Sequence, residues 1–202
     1  MATSYFIPTA SVVTEQVIKN SRFICSVGWA GSRQEVISAA GSIRNQHPQA
    51  SHVCWAYIAG PPDSADRGMS DDGEPRGTAG KPMLTILEHS GMGEIWATVT
   101  RYYGGIKLGT GGLVRAYSSS VQQAIKLVGT WEKVPMTTLQ LIVPYRLLTT
   151  IRKIVEDEKS TVINEIFQDS IELTIRVPSQ KISIVAGKVA AVSKGMIPLK
   201  EI

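Results

Sequence analysis

Hydrophobic and polar residues alternate most regularly in the last third of the chain. Residues 171–177 place an aliphatic side chain at every second position, with Glu, Thr and Arg between them. This period of two is typical of a strand with one buried face. The patterns around it predict, in chain order, a strand at 136–145, a helix at 145–160, a strand at 161–168, a helix at 180–194 and a strand at 196–202.

The order strand, helix, strand, strand, helix, strand predicts a ferredoxin-like (βαββαβ) domain. Within it, we expect Ser179 to cap the start of the second helix and Gly195 to end that helix. The predicted boundary lies near Pro135. Residues 1–134 then form an N-terminal domain, and residues 135–202 form the ferredoxin-like C-terminal domain.

The first two thirds of the chain mix strand-like and helix-like periods. Strands are predicted at 11–19, 22–29, 51–60 and 93–103, and helices at 32–48, 81–91 and 112–128. Ser32, followed three residues later by Glu35, predicts a capped start for the first helix. Residues 61–80 show no apolar period and are predicted to form a long loop, which in a compact domain is usually functional or mobile. The mixture predicts an α+β protein with two domains.

The composition is that of a protein with a packed core, since 43% of the 202 residues are hydrophobic. The sequence holds no apolar run that could span a bilayer, and its start lacks the pattern of a secretory signal. We therefore expect a cytoplasmic protein that does not enter a membrane. Cys25 and Cys54 form no CxxC pair and are expected to be buried free thiols.

Charge is distributed unevenly along the sequence. Residues 95–131 contain no acidic residue, whereas residues 63–74 contain five acidic residues and one basic residue. The basic residues of the first segment are Arg101, Lys107, Arg115 and Lys126. The formal net charge of +4 permits an anionic partner without requiring one.

The segment TRYYGGIKLGTGGLVRAYSSS, residues 100–120, joins a predicted strand to a predicted helix through five glycines. Glycine lets main-chain N–H groups approach a ligand, and the first N–H groups of a helix are unpaired at the positive end of its dipole. Lys107 and Arg115 flank the predicted helix start. An anion can therefore dock there, and nucleic acid is the favoured anion. The alternative is that the glycines serve only a tight strand-to-helix turn.

Two common phosphate-binding motifs do not match this chain. GxGxxG would need glycine in place of Val114, and the Walker A pattern fails where Pro82 follows Lys81. Tyr102 and Tyr103 point in opposite directions on a strand, so one of them can face outward and stack on a base, or either can be a core tyrosine. The candidate nucleic-acid or anion-binding residues are Arg101, Tyr102, Tyr103, Gly104, Gly105, Lys107, Gly109, Gly111, Gly112 and Arg115.

A second candidate site lies in the segment SDDGEPRGTAGKP, residues 70–82, which we call the acidic loop. Its residues are Asp71, Asp72, Glu74 and Lys81. Three close carboxylates can hold Mg²⁺ with water and phosphate, although Asp72 and Gly73 also form a common turn dipeptide. His52 and Cys54 share one face of a strand, but two ligands do not make a zinc site. No catalytic residue, metal site or cofactor is assigned.

Three segments together resemble the IMPACT family. They are SHVCWAY (51–57), SDDGEPRGTAGKPML (70–84) and VTRYYGGIKLGTGGLVRAY (99–117). The last segment looks like the family signature: an arginine, two aromatic residues, two glycines, two variable residues, an aliphatic residue and a glycine, from Arg101 to Gly109. The resemblance covers the whole chain in a bacterial-type arrangement, without the additional N-terminal interaction domain of eukaryotic members.

The resemblance implies a first domain similar to the superfamily of ribosomal proteins and translocase domain IV. It implies a second domain similar to the next domain of elongation factor G. Association with nucleic acid or the ribosome and regulation of translation are further implications. Eukaryotic members act through a partner of a translation-initiation kinase, and that partner is not carried over because the additional domain is lacking.

The favoured hypothesis is a protein that binds RNA or a ribosomal surface and regulates translation, where a protein partner can also take part. The first alternative is an enzyme acting on a small phosphorylated or carboxylated substrate, with Mg²⁺ in the acidic loop. This alternative requires a concave site that joins Asp72, Glu74 and the glycine segment. The second alternative is a protein–protein regulator, which requires an exposed apolar patch.

Overall fold

A computed structural model of the protein describes residues 3–202 and divides into two compact units. The first is Tyr5–Lys133, and the second is Val134–Ile202 together with residues 3–4. Within the described residues, the first unit combines a five-stranded sheet, a two-stranded sheet and three α-helices. The second unit combines a four-stranded sheet and two α-helices over the same described range. This mixture confirms the predicted α+β class. Across residues 3–202, no helix is long and apolar enough to cross a membrane.

The large sheet of the first unit is antiparallel throughout and has the strand order β2-β3-β6-β4-β5. The small sheet pairs β1 with β7. The strands are β1 (Tyr5–Pro8), β2 (Val12–Ile18), β3 (Ser21–Trp29), β4 (His52–Ile58), β5 (Arg67–Ser70), β6 (Ile95–Tyr102) and β7 (Thr130–Lys133). The helices are α1 (Arg33–Gln46), α2 (Gly80–Ser90) and α3 (Thr110–Ile125).

The central strand β6 sends alternate side chains into two different cores. Ala97 and Val99 belong to the main core, which α2 and α3 cover. Trp96 belongs to a smaller core with Val36 of α1 on the opposite face of the sheet. By the same alternation, Arg101 lies on the side of α2 and α3, two residues beyond Val99.

The structure differs from the prediction within the long loop at 61–80. Four of its residues form β5, which pairs with the edge of β4. The sequence of β5, RGMS, has no apolar alternation, so its strand conformation depends on the pairing with β4. The cap of α1 agrees with the prediction, because the Ser32 Oγ accepts a hydrogen bond from the Glu35 N–H at 3.3 Å.

The second unit has the ferredoxin-like topology that the pattern predicts. Its sheet order is β11-β8-β10-β9, so its first and third strands lie side by side in the middle. Its elements are β8 (Met136–Val143), α4 (Leu148–Asp157), β9 (Thr161–Phe167), β10 (Ile171–Pro178), α5 (Ile182–Ser193) and β11 (Lys200–Glu201). The buried face of the sheet packs its aliphatic side chains against α4 and α5.

The predicted cap at Ser179 is wrong, and α5 ends one residue before the predicted Gly195, at Lys194 in a left-handed conformation. Ser179 begins a single 3₁₀ turn, and its Oγ bonds the hydroxyl of Thr137 at 2.8 Å instead of a helix N–H. Gly195 adopts a left-handed conformation just after α5, and its N–H donates to the Ala190 carbonyl at 2.8 Å. A bond over five residues is typical of the Schellman motif at helix ends.

Candidate nucleic-acid interface

The connection from β6 to α3 presents unpaired main-chain N–H groups. Gly109 precedes the helix with a φ of 73°, and its carbonyl accepts the first helical bond from the Leu113 N–H at 2.9 Å. The next three N–H groups belong to Thr110, Gly111 and Gly112. For these three we find no acceptor, main-chain or side-chain, anywhere in residues 3–202. Thr110 and Gly111 are exposed and Gly112 is half-buried, so the helix start is open to a ligand.

Basic side chains surround this helix start. Lys107 precedes it and Arg115 follows within the second turn, and both are exposed. Arg115 and Gly112 line a cavity of about 300 Å³, and Lys19 lines its other side. Lys19 lies in the turn between β2 and β3, with a φ of 45°. Sequence reasoning missed Lys19, because only the folded hairpin brings residue 19 next to residue 115.

The sequence position of Arg101 suggests an exposed side chain that contacts phosphate, but the structure buries this side chain. Its side chain is 7% exposed, and its Nη1 donates to the Glu74 carboxylate at 2.7 Å. Its Nη2 lies 3.4 Å from the Ser21 Oγ, and its Nε has no partner among the described residues. Arg101 is therefore a buried, ion-paired and incompletely bonded guanidinium.

The two tyrosines before the glycines separate as strand geometry requires. The Tyr102 hydroxyl bonds His47 Nδ1 at 2.9 Å on the α1 side, so Tyr102 is tied into the fold. The Tyr103 ring is 49% exposed, and the Arg101 guanidinium lies over it at 5.5 Å from the ring centre. Of the two tyrosines, Tyr103 alone has the exposed ring that stacking on a base requires.

A second and larger cavity, of about 480 Å³, lies beside the start of α3. Its charged side chains are Glu74, Arg101 and the exposed Lys107. Its other lining residues are Pro75, Tyr103, Leu108, Gly109, Thr110 and Leu113. One residue of the acidic loop and the glycine connection thus meet in one concave site.

The residues of the second candidate site have separate partners in the structure. The Asp71 carboxylate accepts N–H bonds from Gly77, Ala79 and Gly80 at 2.8–3.1 Å, and so caps the start of α2. Asp72 accepts the Val53 N–H at 2.6 Å and pairs with Arg44. Lys81 lines a separate cavity of about 280 Å³.

The magnesium alternative gains no support from this geometry. It requires the carboxylates of the acidic loop to converge, but Asp71, Asp72 and Glu74 each bond a different set of protein groups. Within residues 3–202, no group of three His, Cys, Asp or Glu side chains could hold a metal ion. These three carboxylates accept hydrogen bonds from other groups of the protein.

Behind the larger cavity lies a buried polar chain. The Tyr117 hydroxyl donates to the Glu74 carboxylate at 2.8 Å, and the Cys54 thiol donates to the Tyr117 oxygen at 3.5 Å. His52 Nε2 lies 3.9 Å from the same carboxylate. Burial raises the pKa of Cys54 to about 12, so the thiol is protonated at neutral pH and is a poor nucleophile. Both Cys25 and Cys54 are buried free thiols, as expected.

The protein–protein alternative also has a structural counterpart. On the face of the second unit's sheet that α4 and α5 leave uncovered, Ile142 and Ile166 pair on either side of Glu172. Their side chains are exposed. This alternative stays a hypothesis beside the RNA-binding one.

The fold and the glycine connection define a class: a two-unit α+β protein with a ferredoxin-like second unit. The family model "Impact N-terminal domain" matches residues 19–125, which include the candidate interface. Over 197 residues the chain is 43% identical to the IMPACT family member YigZ of Escherichia coli, covering 97% of both chains. It is 33% identical over 201 residues to the IMPACT family member YvyE of Bacillus subtilis, covering 92% of that relative.

A solved structure described as that of a hypothetical protein is also similar. It has 42% sequence identity and a TM-score of 0.71, and the match covers 100% of this chain and 98% of the other. The chain belongs to the IMPACT family.

Proposed function

We propose that this protein binds RNA, free or on the surface of the ribosome, through phosphate groups at the start of α3. The observation that carries the proposal is the set of three unpaired N–H groups at Thr110, Gly111 and Gly112. Such groups, at the positive end of a helix dipole, form an anion-binding site in many proteins.

The surrounding charges favour a polyanion over a single small anion. Lys19, Lys107 and Arg115 come from two separate turns and the helix itself, so they extend the positive surface beyond one phosphate. The segment 95–131 adds no acidic residue that would oppose it. In this proposal Lys19 takes the phosphate-contact role that the sequence suggested for Arg101, because Arg101 is buried against Glu74.

A role in regulating translation is the biological setting we propose for this binding. Membership of the IMPACT family supports this setting in a general way. At the molecular level, the proposed interaction is the binding of an RNA backbone at the start of α3.

The test is the salt dependence of RNA affinity in a charge variant and its matched control. We expect Lys107→Ala with Arg115→Ala to weaken binding to a short RNA at every salt concentration. Because each lost phosphate contact removes about one unit from the slope of log affinity against log salt, the slope should fall by about two.

The control variant is Arg33→Ala with Lys126→Ala, which removes the same charge from exposed positions of the first unit. Arg33 begins α1 on the opposite face of the sheet, and Lys126 follows the far end of α3. It should retain the wild-type slope. If both double variants showed the same loss of RNA affinity and the same smaller slope of log affinity against log salt, binding would depend on net charge alone. The proposed site would then be wrong.

A further inference from the structure

We infer that the cavity of about 480 Å³ receives one unstacked base of single-stranded RNA. This inference rests on the proposed function and adds to it the kind of RNA recognised. The volume falls within the range of ligand-binding pockets, and the walls combine apolar side chains with a few polar groups, as such pockets do.

The half-exposed ring of Tyr103 lines this cavity, and the apolar side chains of Leu108 and Leu113 line it as well. A base presents a flat π-face that stacks on an aromatic ring irrespective of sequence. The Arg101 guanidinium lies over the Tyr103 ring at 5.5 Å. This contact occupies one face of the Tyr103 ring, so a base would stack on the other face.

The polar groups of the cavity fit a base better than a phosphate. Glu74 and Arg101 neutralise each other, and a phosphate placed between them would face the Glu74 carboxylate. The Arg101 Nη2 makes only a 3.4 Å contact, with the Ser21 Oγ, and the second Glu74 oxygen has no hydrogen bond from the described residues. The charged pair that lines the cavity therefore has a donor and an acceptor with unused capacity.

The edge of a base offers the complementary pair, an N–H donor for the carboxylate and a ring or carbonyl acceptor for the guanidinium. In a duplex the Watson–Crick edge of each base is engaged in base pairing and cannot reach a protein cavity. The geometry therefore favours a single strand.

The positions of the phosphate and the base are compatible with one continuous strand. Leu108 lines both the larger cavity and the 300 Å³ cavity of Lys19 and Arg115. The start of α3 borders both, through Thr110 on one side and Gly112 on the other. A backbone held by the N–H groups and cations can thus direct its base to the Tyr103 side of Leu108.

The test compares two single-stranded oligomers with the same number of phosphates, one RNA and one in which every base is absent. Wild-type protein should bind the RNA roughly tenfold more tightly, as expected for one stacked base. Tyr103→Ala should lose this preference, and Tyr103→Phe should keep it because the ring remains. Tyr145→Ala, which removes a similarly exposed tyrosine from the second unit, should keep it as well.

The outcomes separate this inference from the proposed function. The charge variant Lys107→Ala with Arg115→Ala should weaken binding to both oligomers while leaving their ratio unchanged. If wild type binds both oligomers equally and the charge variant weakens both, the base cavity is wrong and phosphate binding survives. If the Tyr103→Ala ratio equals that of wild type, the inference is also overturned.

Discussion

Gly104 lies where the glycine connection passes the turn of the β2–β3 hairpin. A Cβ atom at this position would lie 2.0 Å from the Asn20 carbonyl carbon and 2.4 Å from the Ser21 N. The Gly104 N–H donates to the Ser21 Oγ at 3.2 Å. Glycine here therefore keeps the hairpin turn, with Lys19, close to the start of α3.

We predict that Gly104→Ala destabilises the protein by at least about 1–3 kcal/mol, the usual cost of overpacking, because the clash is with main-chain atoms. Urea denaturation of wild type and variant measures the free energy of unfolding. Gly187→Ala is the matched control. Gly187 lies on the exposed side of α5, where a Cβ would meet no atom of residues 3–202 within 4 Å.

The control should be neutral or more stable by about 0.5–1 kcal/mol, because alanine favours a helix over glycine. Equal stability of Gly104→Ala and wild type would show that the hairpin and the connection are not in such close contact.

Arg101 shows what a sequence reveals about one side chain and what it does not. Its place in a basic, glycine-rich segment suggested a surface contact with phosphate. The alternation along β6 carried the opposite signal, since Arg101 has the same parity as the buried Ala97 and Val99. The partner that makes its burial tolerable, Glu74, lies 27 residues earlier in a loop without a regular pattern. That pairing could not be read from the sequence.

The start of α2 depends on a carboxylate from outside the helix. Ala79 occupies the cap position and offers no side-chain acceptor within the described structure. Asp71 accepts the N–H groups of Ala79 and Gly80 instead, and that of Gly77 in the preceding loop. One residue thus fixes both the acidic loop and the helix that carries part of the main core.

We predict that Asp71→Ala lowers the free energy of unfolding by about 1–2 kcal/mol at neutral pH, the usual loss for a helix cap. Burial by itself would raise the pKa of Asp71, but the N–H bonds from Gly77, Gly80 and Ala79 bring it below its ordinary value. The stabilisation is therefore fully present above the unfolded-state pKa of about 3.9 and is lost as pH falls through the folded-state pKa.

The difference between wild type and Asp71→Ala should consequently stay constant near neutral pH and shrink in acid below about pH 4. Denaturation curves at a series of pH values measure it. Asp63→Ala, at an exposed position of the same acidic segment, is the control and should change stability by less than about 0.5 kcal/mol. A difference that grew in acid would contradict the capping role.

Elements with a regular local pattern could be predicted, and those held by distant partners could not. The alternation in β10 and the helical spacing in α4 were sufficient for the ferredoxin-like order. Strand β5 and the β1–β7 pair escaped prediction, because their conformation depends on strands far away in the sequence. Ser179 looked like a helix cap, but its hydroxyl has a better placed partner in Thr137.

The same distinction applies to the candidate site. Lys107, Arg115 and the glycines stand together in the sequence, so the sequence alone predicts an anion site there. Lys19 joins them only through the fold, and the larger cavity requires Glu74 from the acidic loop. Their shared role in binding stays a prediction.

The net charge of the protein is modest, but one segment of the sequence carries basic residues alone. The net charge is only +4 over 202 residues, so a non-specific attraction to RNA by total charge should be weak. The segment that lacks acidic residues coincides with the helix start that has free N–H groups. RNA binding by this protein should therefore depend on residues near the start of α3, and substitutions on most of the remaining surface should not change the affinity.

The most direct measurement is a titration of ¹⁵N-labelled protein with a short single-stranded RNA, followed by the amide signals in NMR spectra. The amide signals of Thr110, Gly111 and Gly112 should shift furthest, and the shifts should diminish as salt is added. If the RNA binds while these three signals stay in place, the start of α3 does not hold phosphate and the account is wrong.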